Sequence, residues 1–104
     1  MTDNTINAVW QKATPIAGLN PDMWRLDING RLICRNEYGK TTPHGWEIDH
    51  SLPKSREGSD DISNLFPMRW RENREKSNKT QQEYVLNEFI KNLRESRAIL
   101  ATQK

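Results

Sequence analysis

Trp46-Glu-Ile-Asp49-His50-Ser-Leu-Pro53-Lys54-Ser-Arg56-Glu-Gly58-Ser-Asp60-Asp61-Ile-Ser-Asn64-Leu-Phe-Pro67-Met-Arg-Trp70-Arg71-Glu-Asn73-Arg74-Glu-Lys76-Ser77 is the stretch whose reading decides the fold of this chain. Apolar and acidic residues alternate from Trp46 to Asp49, the pattern of a half-buried strand. Pro53 and Gly58 then punctuate a polar loop. Phe66 to Arg69 is a second extended run, which Pro67 restricts to an edge or a strand start. From Trp70 onward Glu, Arg and Lys favour a helix, with neither Gly nor Pro to interrupt it. Strand, loop, strand and helix together make one supersecondary unit.

That unit carries a coherent set of side chains. Asp49 and His50 are adjacent, so on a strand they point to opposite faces, but at a twisted strand end both can border one cleft. A carboxylate such as Asp49 suits a hard cation: magnesium, manganese or calcium. A neutral imidazole at His50 suits proton abstraction from water. Asn73 falls on the first turns of the helix, and its amide oxygen is a hard ligand able to join Asp49. A metal held by so few protein groups keeps open positions for water and phosphate oxygens. Lys54, Arg71, Arg74 and Lys76 are expected to hold a phosphate backbone. Trp46 and Trp70 read as core aromatics, and Glu47 stays unassigned.

The stretch resembles the HNH endonucleases, the ββα-metal nucleases. The resemblance rests on Asp49-His50, Pro53, Gly58-Ser-Asp60-Asp61, Asn64-Leu65 and Asn73-Arg-Glu-Lys76-Ser77, within residues 44–78. It implies that His50 is the general base, that Asp49 and Asn73 are metal ligands, and that Asn64 braces the loop and orients the base. Asn in the last position marks an H-N-N variant. Two departures narrow the metal. Many relatives carry paired Cys-x-x-Cys zinc knuckles, but Cys34 is the only cysteine here, so no structural zinc of that kind is expected. Some relatives have a second His one turn after the last motif residue, where this chain has Ser77. One divalent ion, magnesium or else manganese, is therefore the expected cofactor.

The whole chain of 104 residues reads as one α+β domain, with a ββα-metal core, an N-terminal strand-and-loop extension and a C-terminal helix at 80–100. Residues 51–79 hold 7 basic and 5 acidic side chains, while 1–50 hold 5 basic and 6 acidic, so positive charge gathers at the motif. DNA is the expected partner. No apolar run is long enough for a membrane span, and no signal peptide is apparent. The single cysteine fits a reducing cytoplasm. Residues 1–7 are expected to fray. Trp24 and Leu26 are expected to face inward, Asn29-Gly30 to turn a hairpin into Arg31–Arg35 with Ile28 in the partner strand, and Gly58 to supply an unusual backbone angle.

Thr80 with Glu83 forms a capping box for the last helix. Val85, Leu86, Phe89, Ile90, Leu93, Ile99 and Leu100 make its apolar stripe, expected to fold back over the core of a monomer, or else to support self-association. Metal-dependent DNA hydrolysis is thus the first functional reading. A non-catalytic nucleic-acid-binding module on a degenerate nuclease fold is the second, and an interaction protein using the C-terminal stripe is the third. Cleavage-site preference, and nicking as against double-strand cutting, are not written in these residues.

Overall fold

The computed structural model describes residues 1–103. It is α+β, as the alternating and helical patterns predict. Helix α1 (Asp3–Trp10) opens the chain, followed by strands β1 (Thr14–Pro15), β2 (Trp24–Leu26) and β3 (Leu32–Cys34). Strands β4 (Trp46–His50) and β5 (Leu65–Arg69) come next, then helices α2 (Trp70–Lys76) and α3 (Gln81–Thr102). The first three strands form an antiparallel sheet in chain order, and β4 and β5 form a separate antiparallel pair. In that pair Asp49 lies opposite Phe66 and His50 opposite Leu65. No helix among the described residues is long and apolar enough to cross a membrane.

The N-terminus departs from expectation. Residues 3–10 form a helix, although residues 1–7 are expected to fray. Thr2 caps the helix by accepting from the Thr5 amide, and Asp3 places a negative charge at the positive end. Ile6, Val9 and Trp10 recur at i, i+3 and i+4 and are all buried. They form the core with Ala13, Ile33, Trp46 and Leu65, and the rings of Trp10 and Trp46 lie 5.4 Å apart. Lys12, just past α1, donates to the Ile62 and Leu65 carbonyls and lies over the Phe66 ring, tying this helix to the end of the motif loop.

Strand β2 also reverses the expected parity. Arg25 is buried, while Trp24 and Leu26 are only half-buried. The guanidinium is satisfied by the Pro21, Gln11 and Ala13 carbonyls, which is why an arginine can occupy that site. Asn29-Gly30 does turn the β2–β3 hairpin, with Gly30 at φ +77°, but Ile28 lies outside the strand and is exposed. Asp27 clamps this hairpin to the motif: its buried carboxylate accepts from the amides of Asn29, Arg31 and, across the fold, Arg69.

Between β4 and β5 the loop is held from inside. The Asn64 side chain accepts from the Leu52 amide and donates to the Leu52 and Ser59 carbonyls. The unusual backbone angle falls on Glu57 (φ +70°) and not on Gly58. Gly58 is needed for close approach instead, because a Cβ there would lie 1.7 Å from the Leu52 carbonyl oxygen. Gly58→Ala should therefore cost about 1–3 kcal/mol, whereas Glu57→Gly should be neutral or stabilise by up to about 1 kcal/mol. Thermal unfolding of the two variants in chelator tests this; equal shifts would show that loop closeness is not what the glycine serves.

Candidate metal centre and nucleic-acid interface

Strand parity places Glu47 and Asp49 on the side of β4 that faces α2, while Trp46 and Ile48 face the core. On α2, Asn73 and Lys76 are three residues apart and so share one helix face, directed at those carboxylates. A cleft of about 280 Å³ opens between the two elements and the loop, lined by Ile48, Asp49, His50, Pro53, Lys54, Asn73 and Ser77. Asp49, His50 and Asn73, separated by up to 24 residues in sequence, thus border one space.

Asp49 is only 6% exposed. Its Oδ1 accepts from Lys76 Nζ at 3.1 Å, and its Oδ2 is buried without a hydrogen-bond partner. Burial pushes the Asp49 carboxyl above its usual range, and the Lys76 ammonium opposes that rise. Asn73 donates from Nδ2 to Glu47 Oε1 at 3.4 Å, which turns its amide oxygen away from Glu47. Arg74 reaches the same Glu47 oxygen at 3.3 Å. A buried, unpartnered carboxylate oxygen and an amide oxygen, from two residues lining one cleft, are an all-oxygen donor pair of the chemistry that fits a hard divalent cation. Among the described residues no three His, Cys, Asp or Glu side chains gather as a cation cage, so water and phosphate oxygens would complete the shell.

His50 sits at the strand end, and its Nε2 is 2.8 Å from Asp60 Oδ1. Asp60 also takes Lys54 Nζ at 3.0 Å, and the hydrogen bond from His50, then that from Lys54, holds its carboxyl below the usual range. An ionised carboxylate only accepts, so this contact keeps the proton on Nε2 and leaves the Nδ1 lone pair free. Asn64 does not touch the imidazole. Its contacts are to the loop backbone, as a brace.

Of the four cations expected on a phosphate surface, three are exposed. Lys54 lies on the loop side of the cleft, and Arg71 and Arg74 lie over the Trp70 ring on the helix side. Lys76 does not belong with them. Its side chain has no exposed surface, and it donates to Asp49 Oδ1 and to the His50 carbonyl at 3.0 Å. Sequence reasoning assigned it by charge alone. Its spacing of three from Asn73 was the available sign that it faces the site. Glu47, two residues before Asp49 on the same strand face, and Asp60 were likewise missed as supporting groups.

Two antiparallel strands and a helix close on a carboxylate, an imidazole and an asparagine, an arrangement consistent with a small HNH-like domain. Residues 40–81 match the family model described as HNH endonuclease, which supports the resemblance read from the motif. HNH nucleases act on nucleic acids and use a divalent metal, and nuclease activity in general is what the match supports. Neither the curated proteins nor the solved structures contain a match to the chain.

The buried Lys76–Asp49 pair makes a stability prediction. Removing one partner of a buried ion pair costs about 3–5 kcal/mol, because the other charge is left uncompensated. Lys76→Met should destabilise by that amount in chelator, a large part of the stability of a domain this small. The double variant Asp49→Asn/Lys76→Met should recover more than half of the loss. Urea unfolding of the unsubstituted chain, Lys76→Met, Asp49→Asn and the double variant is the measurement; strictly additive losses would mean that the two groups do not depend on each other.

Proposed function

We propose that the chain is a metal-dependent endonuclease that hydrolyses DNA phosphodiester bonds, with His50 as general base. The observation that carries this is the convergence of Asp49, His50 and Asn73 on one cleft in which Asp49 Oδ2 is buried and unpartnered. Asp49 Oδ2 and the Asn73 amide oxygen would hold the cation, and two hard oxygen donors suit magnesium first and manganese second. When bound, that ion supplies positive charge at the scissile phosphate and at the departing oxygen.

The chain's own residues do the rest. Lys76 holds Asp49 by Oδ1, leaving Oδ2 for the site. Glu47 holds the Asn73 amide by its nitrogen. Asp60 orients the His50 ring and fixes its tautomer. Nδ1 then takes a proton from water as the water oxygen attacks phosphorus, and the phosphorus–O3′ bond breaks on the opposite side. A second water gives the departing O3′ its proton, His50 returns the proton it took to solvent, and the products are a 5′-phosphate and a 3′-hydroxyl, with no covalent enzyme intermediate. Lys54, Arg71 and Arg74 flank the cleft and position the phosphate backbone. A lone domain with one such cleft would nick one strand. The single cysteine favours a cytoplasmic setting.

Plasmid cleavage tests this reading. Activity should require magnesium or manganese and vanish in excess chelator. His50→Ala should keep DNA affinity and thermal stability while losing about 10²–10⁴-fold in single-turnover rate, the usual contribution of a positioned base. A His50→Ala rate within threefold of the unsubstituted chain would remove His50 from the mechanism. DNA binding with no cleavage under any divalent metal would favour the non-catalytic module instead.

A further inference from the structure

Helix α3 is tied to the body at its first turns only. Thr80 caps it and accepts from the Glu83 amide, Arg56 pairs with Glu83, and Tyr84 is its one buried side chain. The expectation that its apolar stripe folds back over the core does not hold. Leu86, Phe89, Leu93 and Leu100 are 57%, 63%, 41% and 63% exposed, on a helix that reaches Thr102. A contiguous apolar stripe of this size is uncommon on a surface with no partner.

The spacing and charge of this stripe select its occupant. Leu86, Leu93 and Leu100 recur at intervals of seven, and Phe89 and Ser96 fall three residues after the first two, so they stand as the a and d positions of a coiled-coil seam. The helix is also polarised. Residues 81–90 carry Glu83 and Glu88 and no cation, whereas residues 91–102 carry Lys91, Arg94 and Arg97 against Glu95. A parallel copy would set acidic half against acidic half and bring no ion pair to the seam. An antiparallel copy sets each acidic half against a basic one. In that arrangement a faces d: Leu93 lies against Phe89 of the second copy, Leu86 against Ser96, and Glu83 flanks Arg97. Glu83 Oε2 is free for that contact, since Arg56 and Thr80 both use Oε1.

We propose that α3 pairs antiparallel with α3 of a second copy of this chain, through the Leu86–Phe89–Leu93–Leu100 seam. The pairing does not depend on the nuclease reading. Where that reading holds, it brings two clefts into one particle.

Sedimentation equilibrium of the full chain reads the assembly. A dimer is expected, and Leu93→Glu, at a position exposed in the single chain, should weaken it by at least tenfold in dissociation constant while leaving the melting temperature of the monomer unchanged. The direction is read by oxidative cross-linking in a Cys34→Ala background. Leu86→Cys mixed with Ser96→Cys should give a disulfide-linked dimer, and neither variant alone should. A chain that stays monomeric to high micromolar concentration overturns the pairing, as does a Leu93→Glu variant that associates unchanged. Self-linking by Leu86→Cys alone overturns the antiparallel register.

Discussion

The ammonium of Lys76, with no exposed surface, lies between the Asp49 carboxylate and the His50 carbonyl, and the two halves of the motif depend on it. It joins the end of α2 to the end of β4 at the point where the candidate ligand and the candidate base both arise. An isolated ammonium or carboxylate would be very costly at that depth. Together they offset each other, and Lys76 leaves only Asp49 Oδ2 without a partner. The same contact settles two other features. It determines which carboxylate oxygen is left without a hydrogen-bond partner, and it holds the backbone of His50 at the strand end, so that the imidazole is aimed by its own main chain on one side and by Asp60 on the other.

Around that contact, Asp49, His50 and Asn73 are each held by one polar atom. Glu47 takes the nitrogen of Asn73, Lys76 takes one oxygen of Asp49, and Asp60 takes one nitrogen of His50. What remains free is one acceptor from each: a carboxylate oxygen, an amide oxygen and an imidazole nitrogen. Supporting groups of this kind commonly set the orientation and basicity of metal ligands. The loop from Ser51 to Asn64 contributes rigidity of the same sort. Its amide brace at Asn64 and its close approach at Gly58 fix Pro53, Lys54 and Asp60 relative to the strand they face.

The ββα core was legible because its signals are local: alternation over Trp46–Asp49, a Pro- and Gly-punctuated loop, a second strand, and a helix free of breakers. Asp49, His50, Asn64 and Asn73 were legible from their ordered spacing, through the family resemblance as much as through chemistry. Helix α1 was hidden because it is only eight residues long and half of them are polar, so only the i, i+3, i+4 set of Ile6, Val9 and Trp10 betrays it. Lys76 was misread because lysine is rarely buried, so charge alone pointed to solvent. Arg25 was misread for a related reason. Its burial depends on three carbonyls from a connector whose path no local pattern reveals. The helix of residues 81–102 was legible as a helix, with its cap, but a periodic stripe does not say whether the chain's own core or another molecule covers it.

The candidate donor pair carries little charge of its own. Lys76 neutralises Asp49, and Arg74 sits against Glu47, so the protein brings little net negative charge to a cation. A doubly charged ion meeting two neutral or neutralised oxygen ligands is weakly held until further oxygens arrive. A DNA backbone supplies both the missing oxygens and the missing negative charge. Lys54, Arg71 and Arg74, exposed on the two rims, would draw that backbone across the cleft. Metal and substrate would then bind cooperatively, each completing the shell of the other. Under the proposed function, such an arrangement would leave a cation labile in the free protein and make full assembly of the site contingent on a phosphate in the cleft.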